Sequence, residues 1–178
     1  NTELGVKVDL SSDLSLTAAY FDSEADKAGY DGSSSEYIVE RGLVVDGIEL
    51  ELKGKVNDNL DVTFGYTSMD GKNGTKDARE IPESMYSLWA NYEVNPKLGW
   101  AVGVMHQGES LIKDGGTQIL PDYTRVDAAV YLMLSNDFRL QVNMENLTDE
   151  LYFPHSHSTH QVSVGRERNI RLSLTRNF

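Results

Sequence analysis

Residues 138–178 read FRLQVNMENLTDELYF, PHSHSTHQVSVG and RERNIRLSLTRNF, and their pattern decides the fold class. In the first flank Leu140, Val142 and Met144 alternate with Arg139, Gln141, Asn143 and Glu145. In the second, Ile170, Leu172, Leu174 and Phe178 alternate with Arg171, Ser173, Thr175 and Asn177. Side chains of a strand point alternately to its two faces, so period two predicts two strands, each with one apolar and one strongly polar face. A polar loop joins them, and the chain ends on an aromatic residue.

The same alternation recurs from the start of the chain. Leu4, Val6, Val8 and Leu10 precede a turn at Ser11-Ser12-Asp13, and Leu14, Leu16, Ala18 and Tyr20 follow it. After the polar stretch DSEADKAGYDGSSSE, read as a long loop, Ile48, Leu50 and Leu52 alternate with Glu49, Glu51 and Lys53. Asp58-Asn59 supplies turn chemistry before Leu60, Val62, Phe64 and Tyr66. A second loop, DGKNGTKDAREIPES, leads to Tyr86, Leu88, Ala90 and Tyr92; Asn95-Pro96-Lys97 then turns the chain into Trp100, Val102 and Val104, opposite Gly103. A third loop, KDGGTQILPD, precedes Val126, Ala128, Val130, Leu132 and Leu134, and Ser135-Asn136-Asp137 turns into the final pair. This predicts about nine antiparallel strands.

Short turns and long loops alternate, so one end of the sheet carries only tight turns and the other carries the long acidic or glycine-rich segments. Aromatics cluster near strand ends: Tyr20, Phe21, Tyr66, Tyr86, Tyr92, Trp100, Tyr123, Tyr152, Phe153 and Phe178. Both features belong to outer-membrane β-barrels, with short periplasmic turns, long extracellular loops and two interfacial aromatic girdles. A mean hydropathy of -0.42 fits, because only every second residue of such a strand meets lipid. No run approaches the roughly 18 apolar residues of a membrane helix. A soluble β-sandwich would alternate in the same way and is the competing architecture.

The formal net charge of -12 argues against a nucleic-acid partner. The absence of cysteine excludes thiolate metal sites and disulfides and suits passage through an oxidising periplasm. The chain starts at Asn1 with neither Met nor a signal peptide, which leads us to expect a mature product or a fragment.

Five runs carry a family likeness. PDYTRVD at 121–127, NLTDELY at 146–152 and GRERN at 165–169 resemble, in order, the opening of a late strand, the N-L-[TF]-D-x-x-Y signature and the G-x-x-R-N opening of the last strand in TonB-dependent siderophore receptors. ELGVK at 3–7 and GIELE at 47–51 match later barrel strands of the same family. The resemblance implies a 22-stranded barrel, of which residues 1–178 would be the C-terminal part, about the last nine strands, without the plug, the Ton box or the first strands. It further implies an outer-membrane receptor of a Gram-negative bacterium that imports ferric siderophores as cargo, with no intrinsic cofactor. Its expected partners are the TonB energy-coupling complex, outer-membrane lipid and lipopolysaccharide. The alternatives are a passive or adhesive barrel and a receptor for haem or another metal complex.

The candidate ligand contacts lie in the last loop. His155, His157 and His160 are spaced so that imidazoles could converge on a transition metal or an iron complex, with His106 as a fourth partner. Tyr152 and Phe153 offer rings for stacking, or girdle positions. Arg41, Arg79, Arg125, Arg166 and Arg168 could meet an anionic chelate or pair with nearby carboxylates. Glu49, Glu51, Lys53, Asp61, Arg139, Glu145 and Arg171 are expected on the polar face as cross-strand charge pairs. DGKNG at 70–74 resembles the opening of a calcium loop, but its ligand alternation stops there. No catalytic set is present: there is no G-x-S-x-G or H-E-x-x-H, and Ser110 with His106 is the only nearby nucleophile and base. The chain is read as a non-enzyme.

Overall fold

The computed structural model describes residues 1–176, so the terminal Phe178 expected to close the apolar row lies outside the described residues. Nine strands form one antiparallel path: β1 (Thr2–Asp9), β2 (Leu14–Asp31), β3 (Glu36–Asn57), β4 (Leu60–Asn73), β6 (Ser84–Asn95), β7 (Leu98–Gln107), β10 (Tyr123–Met133), β11 (Phe138–Glu145) and β14 (Asn169–Arg176). The short β5 (Lys76–Asp77) pairs with the end of β4. In the loops, β8 (Ser110–Leu111) pairs with β9 (Ile119–Leu120), and β12 (His155–Ser156) pairs with β13 (Val162–Ser163).

Register turns nine separate alternations into two continuous surfaces. One cross-strand row runs Val8, Leu16, Leu52, Phe64, Leu88, Val104 and Val126. The adjacent row on the opposite face runs Lys7, Thr17, Glu51, Gly65, Ser87, Met105 and Arg125. A one-residue slip anywhere would exchange the faces, so the apolar set itself specifies the register. Among the described residues no second layer covers the apolar face, where Leu4 is 79% and Leu172 69% exposed. A sandwich would bury these residues against a second sheet. A single sheet with a bare apolar face is the wall of a membrane barrel, whose solvent on that side is lipid.

Two aromatic belts bound this face. Near the loop end Tyr66, Tyr86 and His106 lie side by side, with the Tyr86 and His106 rings stacked at 4.7 Å. Near the turn end Tyr92 meets Trp100 at 5.4 Å. From Tyr86 to Tyr92 along β6 is about 20 Å at about 3.4 Å per residue, and at the roughly 35–45° tilt of barrel strands these rings stand about 14–16 Å apart across the membrane, within an apolar band of about 25 Å. Tyr123 and Tyr152 do not join a belt: both are buried, and Tyr123 lies opposite Gln107 on the polar face. Phe21, opposite Glu3, is on that face too.

The first expected long loop is strand instead. Residues 22–31 and 36–46 continue the β2–β3 ladder up to a tight turn at 32–35, with one bulge between Glu24 and Asp26. A membrane crossing takes about 9–11 residues, so the upper half of this hairpin stands clear of the bilayer. There both faces meet water, and no apolar alternation marks the strands.

Candidate functional site

The three remaining loops, at 74–83, 108–122 and 146–168, all leave the same end of the sheet and are tied to one another. Asp114 accepts from Asn73 Nδ2 at 2.9 Å and from the Arg79 amide at 2.8 Å, and the Glu80 amide donates to the Leu111 carbonyl at 2.9 Å. Glu80 Oε1 then accepts from the Ser156 amide at 2.9 Å, joining the first of these loops to the last across 76 residues of sequence. A polar cleft of about 330 Å³ opens between Asp70, Lys72, Asp77, Glu83, Glu109 and Ser110. Lys72 is raised above the usual lysine range by its hydrogen bond to Asp77, with Asp70 at 3.8 Å adding to the effect. Lys72 offsets one of these carboxylates and leaves the cleft acidic, and residues 70–73 form the end of β4 rather than a calcium loop.

The base of the last loop is where the signature residues meet. Asn146, at φ 52°, is 1% exposed. Its Nδ2 donates to the carbonyls of Glu150 at 2.9 Å and Arg166 at 3.0 Å, and its Oδ1 accepts from the Glu150 amide at 2.9 Å. Its own amide donates to Asp127 Oδ1 at 2.9 Å, and the Leu147 amide reaches the Val126 carbonyl at 2.6 Å. Asp149 accepts from the Arg168 amide at 2.8 Å, while the Arg168 guanidinium lies 3.8 Å from the same carboxylate. The Tyr152 carbonyl accepts from the Gly165 amide at 2.8 Å. A Cβ on Gly165 would stand 2.2 Å from the Tyr152 ring, so the glycine makes room for the aromatic. Tyr152 stacks on Tyr123 at 4.6 Å and takes a hydrogen bond from Arg125 at 3.3 Å. NLTDELY and GRERN are two sides of one clasp that closes the loop over the polar face. Sequence reasoning found both motifs but not their contact; the shared demand for Asn, Gly and a buried Tyr was the available signal.

The histidines divide. His155, on β12, faces Ser163 across the ladder and bonds to its Oγ at 2.9 Å. His157 caps and His160 ends a one-turn 3₁₀ helix (Ser158–His160), and they bring Nδ1 and Nε2 to 3.1 Å. Among the described residues no group of three metal-ligating side chains forms, so the three-histidine convergence does not occur. His106 lies on the outer belt, with Nδ1 2.9 Å from Thr124 Oγ1, and is not a fourth partner or a base for the buried Ser110.

Arg41 pairs with Glu24 at 2.8 Å and Arg125 with Asp127 at 2.8 Å, as the carboxylate-pairing reading expects. Arg166 is exposed and enters the clasp through its carbonyl. On the polar face Arg171 pairs with Glu145 at 3.6 Å, and Arg139 lies over the Tyr131 ring at 5.1 Å. Among the described residues Glu49, Glu51, Lys53 and Asp61 make no ion pair within 4.0 Å: the first three face neutral residues across the ladder, Lys53 facing Ser15 and Thr63, and Asp61 lies opposite Lys55 without closing to that distance.

Comparison with known proteins gives the same architecture. Residues 1–147 match the family described as TonB dependent receptor-like, beta-barrel. The chain is 29% identical over 97% of its length to the "Probable TonB-dependent siderophore receptor PiuA" of Acinetobacter baumannii, covering 26% of that protein. It is 28% identical over 99% of its length to the ferrioxamine receptor of Yersinia enterocolitica, covering 27% of it. The crystal structure of PiuA superposes on 98% of the chain with a TM-score of 0.85 and 26% identity. The chain thus spans about a quarter of the length of these relatives, all of it in the barrel wall and its loops. A single sheet with a lipid-type face, loops locked at one end and a sequence match over most of its length make this chain a member of the TonB-dependent receptor-like β-barrel family.

Proposed function

We propose that this chain is the C-terminal barrel wall of a Gram-negative outer-membrane receptor that imports ferric siderophores, energised through TonB. The observation that carries this reading is the interlocked loop lobe above a polar inner face, in a chain that aligns along nearly all its length with a siderophore receptor. A receptor for a large, charged chelate needs a rigid cup that excludes water and offers charged and aromatic groups. Bonds between the loops supply rigidity, and the exposed His155, His157, His160 and Arg166 supply ligand-facing groups, with Tyr152 holding the loop from below. The wall would belong to a barrel of 22 strands whose lumen holds a plug bearing the Ton box, and unpaired carboxylates such as Glu49 and Glu51 would face that plug. Barrels of that size are plugged transporters. The lipid-type face and its belts support an outer-membrane location with lipid and lipopolysaccharide as surroundings. Such a chain positions and binds cargo and carries out no covalent chemistry.

The test is radioiron uptake by cells that carry the full-length receptor and lack their other siderophore receptors, fed hydroxamate and catecholate complexes. Uptake of one class that vanishes on deletion of TonB supports the reading. Failure to bind any ferric chelate, with loop-dependent adhesion instead, would replace it with the adhesive-barrel reading.

A further inference from the structure

His157 and His160 stand at the exposed tip of the last loop, and the local backbone explains their meeting. His160 ends the turn, while His157 precedes it at φ -101° and ψ 75° and Ser158 takes φ 62°, and this reversal of the backbone brings the two imidazoles together edge to face. The turn is closed by the His157 amide donating to the Gln161 carbonyl at 2.8 Å. The loop beneath is fixed by the Gly165–Tyr152 bond and the Ser156–Glu80 bond. The rings cross at 82° with their centroids 5.0 Å apart, and the facing nitrogens are 3.1 Å apart.

With metal–nitrogen bonds of about 2.0–2.1 Å, nitrogens at this separation subtend about 98° at a shared ion, between the square-planar and tetrahedral angles. We propose that His157 and His160 form a preorganised two-nitrogen chelate for a borderline divalent first-row ion, with Cu2+ held more tightly than Ni2+ or Zn2+. Imidazole suits this class, and the order follows the general affinity series for such ligands. The N–H that bridges the pair moves to the far nitrogen of its own ring, freeing both facing lone pairs for the ion. Two ligands leave the remaining positions to water or to a small chelating molecule. His155 is excluded because Ser163 occupies its Nε2. The site is independent of the siderophore reading, since a free aquo ion is its ligand.

The test uses the full-length receptor, purified in detergent without a histidine tag and titrated calorimetrically with Cu2+ and with Zn2+ alone. One Cu2+ should bind to this loop, with His157→Ala or His160→Ala each weakening it by about tenfold or more and His155→Ala leaving it within about twofold, as expected when one of two ligands is lost. Both residues are exposed, so the variants should keep the wild-type melting transition. Electron paramagnetic resonance of the wild-type Cu2+ complex gives a second readout, a hyperfine pattern from two coordinated imidazole nitrogens. Wild-type affinity in the double variant, or a spectrum without two coordinated nitrogens, would overturn the proposal.

Discussion

Asp127 Oδ1 accepts the Asn146 backbone amide at 2.9 Å, so a carboxylate on the wall strand β10 holds the first residue of the loop that leaves β11. The other oxygen of Asp127 pairs with Arg125, whose guanidinium reaches Tyr152 six residues further along the same loop. Wall and loop therefore share one hydrogen-bond network. Asn146→Ala removes three side-chain hydrogen bonds at a buried site with positive φ. At about 1 kcal/mol per bond plus the cost of orphaned backbone groups, it should weaken loop closure by about 3–5 kcal/mol. Limited proteolysis within 147–168 should accelerate sharply, while Thr148→Ala, at an exposed position of the clasp whose side chain makes no hydrogen bond among the described residues, should leave the loop resistant.

Gly165→Ala tests the same clasp from the other side. The added Cβ overlaps the Tyr152 ring, which Tyr123 backs, and overpacking of this kind costs about 1–3 kcal/mol. The double variant Gly165→Ala with Tyr152→Ala should be less destabilised than the sum of the two single changes, measured by melting in detergent. Strict additivity would mean that the glycine is required for another reason.

How far the sequence reaches depends on whether both faces of a strand meet different solvents. Within the bilayer they do, and the alternation of Leu140, Val142 and Met144 against Gln141 and Asn143 reads directly as strand and face. Above it they do not, so 22–31 looks like polar loop although it pairs with the strand that follows, through one bulge. Aromatic position did not reveal aromatic face: Tyr86 is in the belt and Tyr123 is not. The histidine spacing could not say that His155 belongs to a strand while His157 caps and His160 ends a 3₁₀ turn, and that boundary decides which imidazoles meet. Asn146 is a polar residue among polar residues, and its burial follows from contacts 20 residues apart that no local pattern carries.

At the turn end, Gly54 has φ +130°, and a Cβ there would lie 1.8 Å from the Asp13 carbonyl oxygen. The obstacle is backbone, which cannot rotate away. Gly54→Ala should cost about 3 kcal/mol or more and lower the yield of heat-resistant barrel on gels, whereas Gly74→Ala, with open space around it, should cost about 1 kcal/mol from its positive φ alone.

At the tip of the tall hairpin, the Asp31 carboxyl is held below the usual aspartate range by hydrogen bonds from the Ser33 hydroxyl, the Ser33 amide and the Ser34 hydroxyl. A depressed carboxyl stabilises the turn while ionised, so its contribution is complete above the unfolded aspartate value and fades as pH falls below about 4 through the folded value. Carboxyl carbon NMR titration should place Asp31 below an aspartate in an unstructured peptide, and Ser33→Ala should move it upward. Identical midpoints in the two proteins would contradict this assignment.

The two-faced wall is most directly tested on β14, in a full-length receptor made cysteine-free. Single cysteines at Leu172 and Ser173 of the full-length receptor would carry an environment-sensitive fluorophore in reconstituted vesicles. Brominated lipid should quench the label at Leu172 and spare Ser173, with aqueous iodide giving the reverse. Equal quenching of both positions by iodide, and of neither by lipid, would contradict a membrane-spanning wall.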